Sequence, residues 1–83
     1  MRILVKLYAS LAEFLPPEAQ SNAFPFDIAP EATPHTVLDL CRVPRVRAHL
    51  LLVNGTYVPP AERDTHRLAE GDVLAAWPPV AGG

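Results

Sequence analysis

The apolar positions of this chain step by two near both ends and fall at helical spacing once, close to the middle. From Arg2 to Ala9, Ile3, Val5 and Leu7 lie on one face and Leu4, Lys6 and Tyr8 on the other, which predicts a strand apolar on both sides and therefore central. Ser10 in a cap position, with Leu11, Phe14 and Leu15 grouped behind it, predicts a short helical turn that Pro16-Pro17 ends. Beyond the turn-rich segment Glu18 to Asn22, Phe24, Phe26 and Ile28 alternate with Pro25 and Asp27. This is a second strand, and its proline confines it to a sheet edge. Thr33 is placed to cap a helix whose first position is Pro34, where a missing N–H is harmless. Val37, Leu38, Leu40 and Cys41 form the apolar stripe of that helix, and Pro44 stops it after barely two turns.

In the second half, the run Leu50-Leu51-Leu52-Val53 meets Asn54-Gly55, a pair suited to the two positive φ angles of a type I′ turn, so Thr56-Tyr57-Val58 should return antiparallel. Pro59-Pro60 breaks the return, and Ala61 to Glu70 is polar apart from Leu68. Glu70-Gly71-Asp72 then turns the chain into a last strand, Val73 to Trp77, which Pro78 terminates. Two strands, a crossing helix and further strands make an α+β arrangement with the helix on one face of a mixed sheet. The crossover rule places a later strand parallel to the first. If that strand is the last, the two are central neighbours and the C-terminal tail leaves from the middle of the sheet's end. Leu4, Tyr8, Leu51, Tyr57 and Trp77 are then candidates for the uncovered face, an interface if exposed, unless the segments Leu15 to Asn22 and Pro59 to Leu68 fold over them.

Composition narrows the function. Eighty-three residues, 49% of them hydrophobic and 19% charged, support one packed core. We divide the chain into a domain, 1–77, and a flexible tail, 78–83. A net charge of −2 lacks the basic footprint of nucleic-acid binding. No run is long enough to span a membrane, the start lacks a signal-peptide layout, and the single cysteine fits a reducing cytoplasm. Cys41 reads as a small core residue, and His35, His49 and His66 share no metal-ligand spacing, which places them at the surface or in strands. Asp39, Asp64 and His66 have no serine in a nucleophile-elbow context, so the chain is not expected to be an enzyme by itself. Arg42, Arg45 and Arg47 form a small basic group, either a solvated loop or a contact for an acidic partner.

Of four glycines, two are the final residues, Gly82-Gly83. Nothing past Ala81 carries a side chain, so the tail is narrow enough to thread a channel and present the terminal carboxylate as its working group.

The Val53-Asn54-Gly55 turn, the Glu70-Gly71-Asp72 turn and above all Trp77-Pro78-Pro79-Val80-Ala81-Gly82-Gly83 resemble the ubiquitin-like sulfur carriers of the MoaD/ThiS type, with the Pro-Pro-Val-Ala-Gly-Gly ending most similar to the small subunit of molybdopterin synthase. The resemblance implies a β-grasp fold with a sheet of four to five strands and no bound cofactor. It further implies that Gly83 is adenylated by an E1-like (MoeB-like) adenylyltransferase using ATP and then converted to a thiocarboxylate with sulfur from a donor enzyme, Gly82 being the spacer beside it. The tail of such a protein enters a MoaE-like large subunit and gives up sulfur to the molybdopterin dithiolene. In that role Pro78 and Pro79 stiffen the root of the tail, Val80 grips the mouth of the channel, and Trp77 and Ala81 complete the contact. Carriers for thiamine thiazole, cysteine or tungsten cofactor synthesis share the Gly-Gly end, and a ubiquitin-like modifier or binding module is the alternative of another class. Two departures stand out: Trp77 occupies a position where the family often has a smaller residue, and the helix is short.

Overall fold

The structure is a computed structural model that describes residues 1–79. Five strands form one sheet: β1 (Arg2–Leu7), β2 (Ala23–Asp27), β3 (Leu50–Val53), β4 (Thr56–Tyr57) and β5 (Val73–Trp77), in the order β2-β1-β5-β3-β4. Between β2 and β3 lies the helix α1 (Pro34–Leu40). β1 and β5 are parallel neighbours at the centre, as the crossover predicts, and every other pair is antiparallel. This is the ubiquitin-like β-grasp arrangement expected from the sequence.

Alternation in the central strands sorts the two faces. Ile3, Val5 and Leu7 of β1, Leu74 and Ala76 of β5, and Leu51 and Val53 of β3 are buried under α1, whose Val37 and Leu38 close the core. Leu51 therefore faces the core rather than the uncovered side; Leu50 and Leu52 alternate with it there, as period two requires.

Local chemistry explains the turns. Asn54 and Gly55 take φ of 52° and 82° as the hairpin demands. The Asn54 amide also donates to Asp72 Oδ1 at 2.9 Å while its oxygen accepts from the Val73 N–H at 2.9 Å. The hairpin turn is thereby tied to the entrance of β5. Gly71, at φ 83°, closes the other side by donating its N–H to the Arg2 carbonyl at 2.8 Å. On the outer edge, Pro25 lies opposite Leu4, whose N–H points the other way to the Asp72 carbonyl. The donor that proline lacks would thus have faced solvent, which is why β2 tolerates it and why that edge is a poor template for another strand.

Three expectations need correction. The helix ends before Pro44 acts on it: Arg42 adopts φ 66°, its N–H reaches the Asp39 carbonyl at 3.1 Å, and the Val43 N–H reaches the Leu38 carbonyl at 2.9 Å. These are the two bonds of a Schellman motif, here closed by arginine instead of glycine. Leu40 is 58% exposed. At 3.6 residues per turn it stands roughly 110° from the centre of the face formed by Pro34, Val37, Leu38 and Cys41. Ser10 caps nothing. The 3₁₀ segment Ala9–Phe14 follows Tyr8 with no side-chain cap, because Ala9 at φ 52° turns the chain directly off β1.

Candidate functional site

The end of β5 and the uncovered face of the sheet form one continuous region. β5 is hydrogen-bonded on both sides, so its last residue is held by two neighbours. Trp77 lies opposite Leu50 of β3, and its ring stacks on Tyr8 with centroids 4.7 Å apart and planes 9° from parallel. The Tyr8 N–H extends the parallel ladder to the Ala76 carbonyl at 3.1 Å. Pro78 is buried and Pro79 exposed, so the body of the protein includes one residue that the sequence assigns to the tail. Val80, Ala81, Gly82 and Gly83, the remainder of the expected site, lie outside the described residues.

Register places the uncovered face row by row. Pro25, Leu4 and Val73 share one row; Ala23, Lys6, Ala75, Leu52 and Tyr57 share the next; Trp77 and Leu50 lie opposite each other beyond them, beside Tyr8. Tyr57 is 50% exposed and Leu50 37%. The face is an apolar surface with one charge, Lys6, in its middle row, and it runs without a break to the root of the tail. Leu4 also lines a shallow groove with Glu18 and Gln20, so the first long loop borders this face without closing over it.

Elsewhere the structure organises polar residues that look solvated in the sequence. Arg63, in the polar stretch after β4, is 2% exposed. Its Nε donates to the Val58 carbonyl at 2.8 Å, Nη1 to Ala48 at 2.6 Å and Nη2 to His49 at 3.1 Å, joining the start of β3 to the segment after β4. Burial lowers its pKa from the usual arginine range. His35 is buried too, with Nδ1 2.8 Å from Asp64 Oδ1 and its N–H on the Arg63 carbonyl, so Asp64 partners His35 rather than His66. A polar side chain buried through contacts far along the chain leaves no local signal. Within the basic group, Arg45 pairs with Asp39 at 2.8 Å. Arg47 pairs with Glu13 at 3.0 Å and stands over the Phe14 ring at 5.1 Å, so both are engaged inside the molecule.

Cys41 is half-buried against the core, and burial pushes its thiol up to about 11, which keeps it protonated and a poor nucleophile near neutral pH. Among the described residues, no three His, Cys, Asp or Glu side chains gather as a metal site, and no helix is long and apolar enough to cross a membrane.

Residues 1–82 match the family model described as Mut7-C ubiquitin. Among solved structures, the chain is similar to SAMP1 from Haloferax volcanii, with 29% identity and a TM-score of 0.67 over 100% of both chains. It is likewise similar to H. volcanii small archaeal modifier protein 1, with 27% identity and a TM-score of 0.66 over 95% of this chain and 98% of the other. A complex of subunits 1 and 2 of molybdopterin-converting factor from Helicobacter pylori contains a chain of the same fold, with 17% identity and a TM-score of 0.57 over 100% of both chains. No curated protein sequence matches.

Proposed function

Because the chain belongs to the Mut7-C ubiquitin family, and because its sequence ends in Gly82-Gly83 beyond a central strand, we propose that it is a sulfur carrier whose C-terminal carboxyl is activated and loaded with sulfur. A carboxylate is a poor acyl donor, so the reaction needs two displacements. An ATP-dependent E1-like adenylyltransferase first joins the Gly83 carboxylate to AMP, releasing pyrophosphate. Hydrosulfide from the sulfur donor then attacks that carbonyl carbon and AMP leaves with the electron pair, giving the thiocarboxylate. In the first step the carboxylate oxygen must reach the α-phosphate of ATP, and in the second the carbonyl carbon must be open to the nucleophile; residues without side chains leave room for both. The partner docks on the apolar sheet face, gripping Leu50, Leu52, Tyr57 and Trp77 while the tail enters its channel.

Molybdopterin dithiolene synthesis is the destination we favour, supported by the Pro78-Pro79-Val80-Ala81 sequence before the glycines and by the fold shared with the molybdopterin-converting factor chain. The observation that carries the reading is the Gly82-Gly83 pair in the sequence, separated by the four residues Pro78 to Ala81 from the end of a strand paired on both sides. Intact-mass measurement after incubation with the E1-like enzyme from the same genome, ATP and a sulfur donor should show one oxygen replaced by sulfur in the Gly83 peptide. An unchanged mass, with the enzyme active on another carrier, removes the proposal. Co-purification decides the pathway: a molybdopterin synthase large subunit supports the favoured destination, and a thiazole or cysteine synthase replaces it.

Likeness to proteins named as modifiers supports a second reading, attachment of the tail to other proteins. Trypsin cuts no closer to the end than Arg67, so a tryptic remnant would be the whole of 68–83. A protease that cuts after small residues leaves Gly-Gly by cleaving at Ala81. Such remnants on lysines of other proteins are the expected sign of this role.

A further inference from the structure

Lys6 is the only lysine of the chain, and the structure places it in the middle row of the uncovered sheet face. Its neighbours across the sheet are Ala23 on one side and Ala75 on the other, both small, so nothing of its own height flanks the side chain. Among the described residues no carboxylate pairs with its ammonium. The other amine of the chain, at Met1, is held by the Ile28 carbonyl at 2.7 Å in a half-buried position, where the Ile28 N–H returns to the Met1 carbonyl at 2.8 Å. Lys6 is half-buried on the open face with no ion-pair partner for its amine among the described residues, whereas the Met1 amine is tied into the end of the sheet.

We infer that Lys6 is the acceptor for the activated C-terminus of a second copy of this chain, so that any self-conjugate carries a single kind of linkage, Gly83 to Lys6. The inference rests on the activation of Gly83 proposed above. The neutral Lys6 amine attacks the carbonyl carbon of the Gly83 adenylate. A C–N bond forms, the bond from that carbon to the phosphate oxygen breaks, AMP departs with the electron pair and the amine proton passes to solvent. ATP and the adenylating enzyme are the co-reactants, and no redox change is involved. The joined copy then stands on the same apolar face that a sulfur-accepting partner would use, so self-conjugation and docking exclude each other on the acceptor copy.

The test uses the full-length chain and its Lys6→Arg variant, which keeps the positive charge, with the E1-like enzyme and ATP and no sulfur donor. Pyrophosphate release reports activation in both. The wild-type chain should give a two-copy adduct one water lighter than the sum. Its tryptic digest should contain a branched peptide, 3–42 carrying 68–83 on Lys6, because cleavage at an acylated lysine is blocked. The Lys6→Arg chain should be activated equally and lose the adduct. Activation without an adduct, or an adduct whose digest joins 68–83 to Met1, overturns this inference and leaves the carrier reading standing. Absence of pyrophosphate release overturns both.

Discussion

The Tyr8 ring lies flat on the Trp77 ring, 4.7 Å between centroids, and so joins the chain just past β1 to the last residue of β5. The contact fixes where the tail begins, because the buried Pro78 follows directly. It also places two flat aromatic surfaces at the border between the sheet face and the segment proposed to enter a partner.

Removing that stack should loosen the tail root more than the fold. A double-mutant cycle with Tyr8→Ala and Trp77→Ala, followed by urea unfolding, should return a coupling of about 0.5–1.5 kcal/mol. Tail activation by the adenylating enzyme should slow in either single variant, while Tyr8→Phe, which keeps the ring, should match the wild type. A coupling of zero would show the stack to be incidental.

Arg63→Met should be among the most damaging single changes, although it replaces a polar residue in a polar stretch. The guanidinium satisfies three carbonyls, and leaving buried acceptors unpaired costs about 1–3 kcal/mol each when nothing replaces the donor. We expect a loss of about 3–4 kcal/mol in urea midpoint experiments, after allowing for water reaching the partly exposed carbonyls. Arg63→Lys should recover only part of this, since one ammonium cannot span the same fork.

Arg42→Gly should stabilise the protein. Arg42 holds the left-handed C-terminal turn of α1 at φ 66°, a region that side chains with a Cβ adopt at a cost of about 1–2 kcal/mol. Part of the gain is returned as unfolded-state entropy, so the expected net is about 0.5–1 kcal/mol, read as a rise in the denaturation midpoint. Unchanged stability would mean that the arginine side chain makes a compensating contact.

Cys41 gives a pH dependence with a definite sign. Its thiol is raised in the folded state from the usual value of 9.0 to about 11. An acid raised on folding ionises first in the unfolded chain, so the unfolded state releases its proton as pH climbs past 9 and stability falls until the folded thiol also ionises. Wild-type stability should therefore drop more steeply between pH 9 and 11 than that of Cys41→Ala. Equal slopes would show that the thiol is not desolvated. At the acidic end, Asp27 and Asp39 are held below the usual carboxylate range, chiefly by side-chain hydrogen bonds from Arg2 and Arg45. Their contribution is present above the usual carboxylate value of 3.8 and lost on acidification below it, a small effect at exposed sites.

Much of the architecture was legible because its signals are local. Asn54-Gly55 and Gly71 sit where the backbone needs positive φ, and no distant residue is required to make that so. The alternation of Ile3, Val5 and Leu7 reads as a strand on its own, and Pro25 announces an edge because its defect is its own missing donor. Cys41 was legible as a core residue for the same reason, being the small member of an apolar stripe. Leu40 was not, because the stripe has a width that only the packed sheet defines. Arg63 and His35 were missed for a related reason: a charged or polar residue is buried when distant carbonyls or a carboxylate happen to satisfy it, and neither segment states this alone.

By itself, then, the sequence determined the strand and helix pattern, the turn geometries and the Gly-Gly terminus, all of which depend on residues within a few positions of one another. Tertiary structure alone decided that Leu50 and Leu52 rather than Leu51 face outward, that Lys6 stands amid an apolar face, and that Tyr8 anchors Trp77 at the root of the tail. Those are relations across the sheet between residues tens of positions apart, set by strand order and register, and no local pattern encodes them.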